Sequence, residues 1–99
     1  MSLYMIIDIE VKDNQLYEQY TQRAMPIVKK HGGRYLVRGG KVTSVSGGWN
    51  PKRVVVIEFL SHEAIKQCFS SQEYKEIASS RINSITSRTI VVEGISVPG

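Results

Sequence analysis

From Leu3 to Val11 apolar and polar residues alternate, with Leu3, Met5, Ile7, Ile9 and Val11 in phase on one side. That is the two-residue period of a β-strand. The period then changes. Leu16, Tyr20, Ala24, Ile27 and His31 recur at three- and four-residue spacing and predict a helix. Asp13 stands at its N-cap, where a carboxylate accepts from the orphan amides of the first turn, and Gly32-Gly33 supplies the stop. Pro26 has no amide hydrogen and crowds the preceding turn, so a kink or a break is expected near Gln22 to Met25. Arg34 to Arg38 reads as a second strand, continued by Lys41 to Ser46 past a bulge at Gly39-Gly40. Gly47-Gly48-Trp49-Asn50-Pro51 is turn chemistry and leads into Arg53 to Phe59, the strongest strand pattern in the chain. Ser61 caps a short helix carrying Ala64, Ile65, Cys68 and Phe69. Ser70 with Glu73 forms a capping box for another, whose apolar stripe is Tyr74, Ile77, Ala78, Ile82 and Ile85. Arg88 to Glu93 is the last strand.

The order is βαββ, a two-part helical crossover, then β. Right-handed crossovers fold it into a four-stranded antiparallel sheet, first and third strands central, with the helices on one face. This is an α+β, ferredoxin-like arrangement. The chain's 99 residues make a single domain over 1–99.

Sorting the strands by face predicts an assembly. One face collects Met5, Ile7, Ile9, Val55, Ile57, Phe59, Ile90 and Val92, a continuous apolar surface for the helices to cover. The other would be polar if it met water. It holds Tyr4, Ile6, Val54, Val56 and Val91 among Asp8, Glu10, Glu58 and Glu93. So much exposed apolar surface on a small monomer points to an interface, and a second copy packed sheet on sheet would cover it. A homodimer through the sheet face is therefore expected, two subunits closing a dimeric α/β barrel.

Composition narrows the function classes. Apolar residues are 41% and charged residues 22%, ordinary for a globular chain. No apolar run reaches the ~18 residues that span a bilayer, and the first residues lack the basic start of a secretory signal. Cys68 is the only cysteine, which excludes an internal disulfide and a cysteine-rich metal site. A cytoplasmic protein without membrane partners follows. The net charge of +4 invites a nucleic-acid reading. However, Lys29, Lys30, Arg34, Arg38, Lys52, Arg53, Lys66, Lys75, Arg81 and Arg88 are scattered. An RNA-recognition module of the same element order would also need paired aromatics on its third strand. Lys52 to Phe59 puts Arg, Val and Val there, so no nucleic-acid partner is expected.

Candidate chemistry sits at strand ends. Asp8 and Glu10 end the first strand and Glu58 ends its neighbour, so the three carboxylates are expected to gather at one end of the sheet. There they would raise one another's pKa or demand a cation. Arg38, beside Gly39-Gly40, is the natural counter-charge. Two readings stand. In one, Arg38 fixes a substrate oxyanion by two parallel hydrogen bonds while Glu58 or Asp8 acts as a general base. In the other, Arg38 and Glu58 form an ion pair that sets strand register. Trp49 in its turn and Tyr74 on its helix are the candidate substrate contacts, each also fitted to packing. His31 suits a helix C-terminus and Cys68 an apolar face better than catalysis. His31 and His62 have no ligand spacing with the carboxylates, so neither a metal nor another cofactor is expected.

Several stretches together resemble a known family. They are Gly32-Gly33-Arg34-Tyr35-Leu36-Val37-Arg38-Gly39-Gly40, Gly48-Trp49, Arg53-Val54-Val55-Val56-Ile57-Glu58-Phe59 with Ser61, Glu73-Tyr74 and Val92-Glu93-Gly94. The chain resembles, over nearly its whole length, the "domain of unknown function thirteen-thirty" family, small and mostly bacterial proteins of the dimeric α/β-barrel superfamily. The resemblance implies the ferredoxin-like fold and a homodimer, and carries no activity of its own. Superfamily relatives include cofactor-free monooxygenases, lactone isomerases and dehalogenating or dehydrating enzymes. By that analogy the chain is expected to be a cofactor-free enzyme for a small carbonyl, phenolic or carboxylate compound, or a ligand-binding regulatory domain without catalysis.

Overall fold

The computed structural model describes residues 2–95. Strand β1 spans Leu3–Val11, helix α1 Asn14–Lys30, β2 Arg34–Arg38 and β3 Arg53–Phe59. Helices α2 (His62–Ser70), α3 (Gln72–Lys75) and α4 (Ala78–Ser84) then lead to β4, Ile85–Glu93. The sheet order is β2-β3-β1-β4, every pair antiparallel, so β1 and β3 are central. This is the ferredoxin-like topology. No helix among the described residues is long and apolar enough to cross a membrane.

Local chemistry explains most boundaries. The Asp13 carboxylate accepts from the Leu16 amide at 3.0 Å and opens α1. His31 closes it, its Nδ1 bonded to the Ile27 carbonyl at 2.9 Å, and Gly32 turns the chain away at φ +82. The interruption expected at Pro26 is absent, for α1 runs through it as one helix. Tyr17 and Ala24 before the proline, and Ile27 and Val28 after it, are all buried against the sheet. Packing holds both halves in line, while exposed Pro26 leaves the Gln22 carbonyl without its usual amide. Ser71, not Ser70, caps α3: its hydroxyl accepts from the Tyr74 amide at 3.2 Å and donates to the Cys68 carbonyl at 2.7 Å.

The core lies between the sheet and the helices, with Phe59, Ile77, Val28 and Cys68 fully buried. Burial pushes the Cys68 thiol up to about 11, which keeps it a packing group. Gly33 is part of this packing. A Cβ there would come within 2.5 Å of Val28 Cγ1 and 2.9 Å of Phe59 Cε1. Gly33→Ala should therefore lower stability by ~1–3 kcal/mol through overpacking. Gly40→Ala, with nothing within 4 Å of its Cβ, should change it by less than ~0.5 kcal/mol. Urea midpoints of the two variants check the contrast.

Three expectations fail for reasons of register. Lys41 to Ser46 forms no strand; residues 39–52 are a loop, turned by Gly39 at φ +75 and by Gly47 and Gly48. The irregularity in β2 falls between Tyr35 and Val37, at Leu36, not at Gly39-Gly40. The last strand starts at Ile85, and its pairing of Met5 with Val91 and Ile6 with Ile90 reverses the expected faces. Val91 shares the helix face, whereas Ile90 and Val92 lie on the outer face with Tyr4, Ile6, Val54 and Val56. Ile85, assigned to a helix stripe, is the first buried residue of β4, and Ile82 from the same stripe is exposed.

Candidate functional site

Sheet and helices do not close completely. Between them is a cavity of about 300 Å³, at the lower end of the range for small-molecule sites. Met5, Ile7, Ile9, Val55 and Ile57 make its floor, and α1 roofs it with Tyr17, Tyr20, Thr21, Ala24 and Val28. Tyr35 and Arg38 enter from β2, Tyr74 from α3, Arg81 from α4 and Thr89 from β4. Arg38 and Thr89 are exposed, so the cavity communicates with solvent beside them.

Its polar groups are phenols and guanidinium groups. The Tyr20 and Tyr74 hydroxyls are 2.8 Å apart and hydrogen-bonded. Burial raises the pKa of Tyr20 far above the usual phenol value, with Tyr74 adding to the effect. Burial also raises Tyr74 and pushes Tyr35 up to about 12. All three are therefore neutral hydrogen-bonding groups near pH 7. Arg38 reaches the Met25 sulfur, with its Cζ 5.9 Å from the Tyr35 ring centre. Arg81 donates to Ser87 Oγ at 2.8 Å. Among the described residues neither arginine has a carboxylate in salt-bridge reach. No carboxylate, imidazole or thiol is among the described lining residues. The arrangement can hold an anion and donate hydrogen bonds to it in apolar surroundings.

The candidate triad is not brought together. Antiparallel pairing sets Glu58 opposite Tyr4, and Asp8 opposite Val54. The two carboxylates thus stand about 13 Å apart along one face, at the usual rise per residue. Glu58 pairs with Arg34 at 2.8 Å, and Asp8 pairs with Arg88 at 2.9 Å. A hydrogen bond from the Ser2 side chain, with Arg34 beside it, holds the Glu58 carboxyl below its usual pKa, opposite to the rise expected of a base. The bulge explains Arg38. Arg34 faces Glu58 on the outer side, and an unbroken β2 would put Leu36 and Arg38 on that side too. The slip at Leu36 sets Val37 opposite Val56 and Arg38 opposite Val55, turning Arg38 into the cavity. Bulges re-aim side chains in this way.

The two proposed substrate contacts also separate. Tyr74 lines the cavity. Trp49 lies at a shallow polar depression with Asp8, Glu10, Lys52 and Arg88, its Nε1 3.5 Å from Asp8 Oδ2. Among the described residues no cluster of three or more His, Cys, Asp or Glu could hold a metal ion.

Comparison with known proteins places this geometry in a family. The family described as "Domain of unknown function (DUF1330)" matches residues 2–95. The chain belongs to that family. No functionally curated protein matches it. Among solved structures, this DUF1330 chain is similar to RPA0582, a protein of unknown function from Rhodopseudomonas palustris. That pair has 16% identity and a TM-score of 0.82, covering 97% of this chain and 84% of the other. It is similar also to SnoaB, a cofactor-independent oxygenase from Streptomyces nogalater, at 13% identity and a TM-score of 0.69, covering 97% and 95%. A DABB family protein with a ferredoxin-like fold from Mesorhizobium loti aligns at 10% identity and a TM-score of 0.65, covering 96% and 98%. At these identities the likeness is one of fold.

The sequence did not single out Tyr17, Tyr20, Tyr35 and Arg81, which line the cavity of this DUF1330 protein. A signal existed in α1. Tyr17 and Tyr20 put hydroxyl-tipped rings toward the sheet, where aliphatic side chains would have filled the space. Arg81 carried none, because it reaches the cavity only through the placement of a one- or two-turn helix.

Proposed function

We propose that this DUF1330 protein is a cytoplasmic homodimer joined through its outer sheet face. Each subunit uses the cavity as a cofactor-free site for a small carbonyl, phenolic or carboxylate compound. The observation that carries the proposal is an apolar cavity entered by a guanidinium, Arg38, that has no carboxylate partner among the described residues. Arg38 holds the ligand's oxyanion through parallel N–H donors, with the neutral Tyr35 phenol in the same part of the cavity. The proton of a bound enol or phenol leaves to water on the open side. Charge stabilisation in apolar surroundings is the cavity's contribution to rate. SnoaB, of the same fold, is described as a cofactor-independent oxygenase, which is compatible with this reading.

The dimer rests on the outer face, where Tyr4, Ile6, Val54, Val56, Ile90 and Val92 form an apolar centre. The Arg34–Glu58 and Asp8–Arg88 ion pairs stand toward opposite ends of it. Asp8, Glu58 and Trp49 then belong to the interface region and not to the chemistry. The lining favours one second reading, a ligand-binding regulatory domain, because its described residues include no group of ordinary basicity near pH 7.

Benzoate and phenol titrations followed by amide chemical shifts test the site. Both should perturb residues around the cavity. Arg38→Met should weaken benzoate ~10-fold or more, the worth of a hydrogen bond to a charged group. Thr21→Phe, which puts a ring into the cavity, should abolish binding with the fold retained. Perturbations confined to the outer face would refute the site.

A further inference from the structure

The cavity's charge does not end with Arg38. We infer that Arg81, with the Tyr20 and Tyr74 hydroxyls, forms a second polar end, and that the ligand carries an anionic group at each end of an apolar body. The inference rests on the cavity being the ligand site.

The two guanidinium groups stand on opposite flanks of α1. Arg38 belongs to β2, one edge of the sheet, and lies against Met25 of α1. Arg81 belongs to α4 and is tied to Ser87 of β4, the other edge. Three strand spacings, about 14 Å of backbone, separate those edges. Long side chains reach inward from both, and the floor between them, Val55 and Ile7, is apolar. The space suits a ring or short chain, and none of its described lining residues neutralises either cation.

The second end has donors to spare. One proton of the Tyr20–Tyr74 pair is used in their mutual bond, which leaves the other hydroxyl free to donate to a ligand. Ser87 engages one of the five N–H groups of Arg81. Arg38 is exposed and keeps its water, but Arg81 is half-buried, and a cation facing an apolar wall is costly until an anion meets it. A ligand with one acidic group, held at Arg38, would leave Arg81 in that state.

Calorimetry at fixed ionic strength with terephthalate and 4-methylbenzoate tests the inference, since the two share a ring and length and differ in one carboxylate. Terephthalate should bind about tenfold or more tighter to the unaltered protein, the span of one charge-assisted hydrogen bond. Arg81→Met should bring that ratio near one while 4-methylbenzoate still binds. Arg81→Lys, which keeps the charge, should restore part of it, and Tyr20→Phe should lower it with Arg81 intact. Equal affinity for the two probes, or a ratio that survives Arg81→Met, overturns the second end and leaves the cavity standing. Failure of both probes to bind removes the ligand site itself, and the second end with it.

Discussion

Replacing Val56 with Lys is expected to turn the proposed dimer into a folded monomer. Val56 is half-buried at the middle of the outer face, directly opposite Ile6 on β1 and Val37 on β2. In a single subunit a lysine there reaches water easily, because the face it stands on is the one the helices leave bare. The core, on the other face, is not touched. In a sheet-on-sheet dimer the same ammonium would lie between two apolar surfaces, and the nearest carboxylate on that face, Glu58, is already paired with Arg34. Even after relaxation, a buried unpaired charge costs several kcal/mol per ion, and a two-fold interface would bury two of them. Association should weaken by several orders of magnitude. Sedimentation equilibrium at micromolar concentration should find a dimer for the unaltered protein and a monomer for Val56→Lys, with matching far-ultraviolet circular dichroism. A monomeric unaltered protein would end the dimer proposal. A dimeric Val56→Lys protein would move the interface to another surface.

Alternation along β1 made that strand and its faces readable, because five in-phase apolar residues leave little choice, and in β3 the polar Glu58 between Ile57 and Phe59 fixed the parity of the Val-Val-Val-Ile run. Thr89-Ile90-Val91-Val92 gave no such help. Three successive apolar residues fit either face, and parity was settled only by the pairing of Ile85 with Val11 at the start of β4. The Asp8–Glu58 grouping failed on geometry. Both residues sit late in their strands, but antiparallel neighbours put late residues at opposite ends. Arg38 failed on a slip of one residue. Nothing in Tyr35-Leu36-Val37 announces a bulge, yet the bulge decides whether Arg38 meets Glu58 or the cavity.

That slip also divides the molecule's work. On the outer face each described carboxylate that has a salt-bridge partner is matched within the subunit, Glu58 by Arg34 and Asp8 by Arg88. The surface between them can then lose water without leaving a bare charge. Toward the cavity, Arg38 and Arg81 have no carboxylate partner among the described residues, and the phenols are neutral. In the proposed assembly one surface would meet the partner's sheet and the other a small anion, and β2 would serve both because Leu36 absorbs the change of phase.

Alkaline unfolding is the second large effect. Tyr35 is pushed up to about 12, and Tyr20 and Tyr74 are raised as well, in every case chiefly by burial. In the unfolded chain these phenols titrate near 10. Between pH 10 and 12 the folded protein therefore holds protons that the unfolded chain has released. The derivative of unfolding free energy with pH is negative across that window, at most about 1.4 kcal/mol per pH unit for each phenol. The stability these groups confer is complete below pH 10 and lost as pH rises through the folded values. Urea midpoints should be level from pH 7 to 8, ease down from about 8.5 as the buried Cys68 thiol also comes to hold a proton the unfolded chain has lost, and fall most steeply between 10 and 11.5, with tyrosinate absorbance appearing as the fold is lost. Lysines also deprotonate in this range, so a variant separates the causes. Tyr35→Phe removes one raised phenol and keeps its ring, and it should make the decline shallower without changing the neutral-pH plateau by more than ~1 kcal/mol. An unchanged slope in Tyr35→Phe, or tyrosinate absorbance saturating while the urea midpoint holds, would mean that these hydroxyls reach solvent. They would still be neutral donors near pH 7, but they would meet water, and the proposed anion site would lose the apolar surroundings on which it depends.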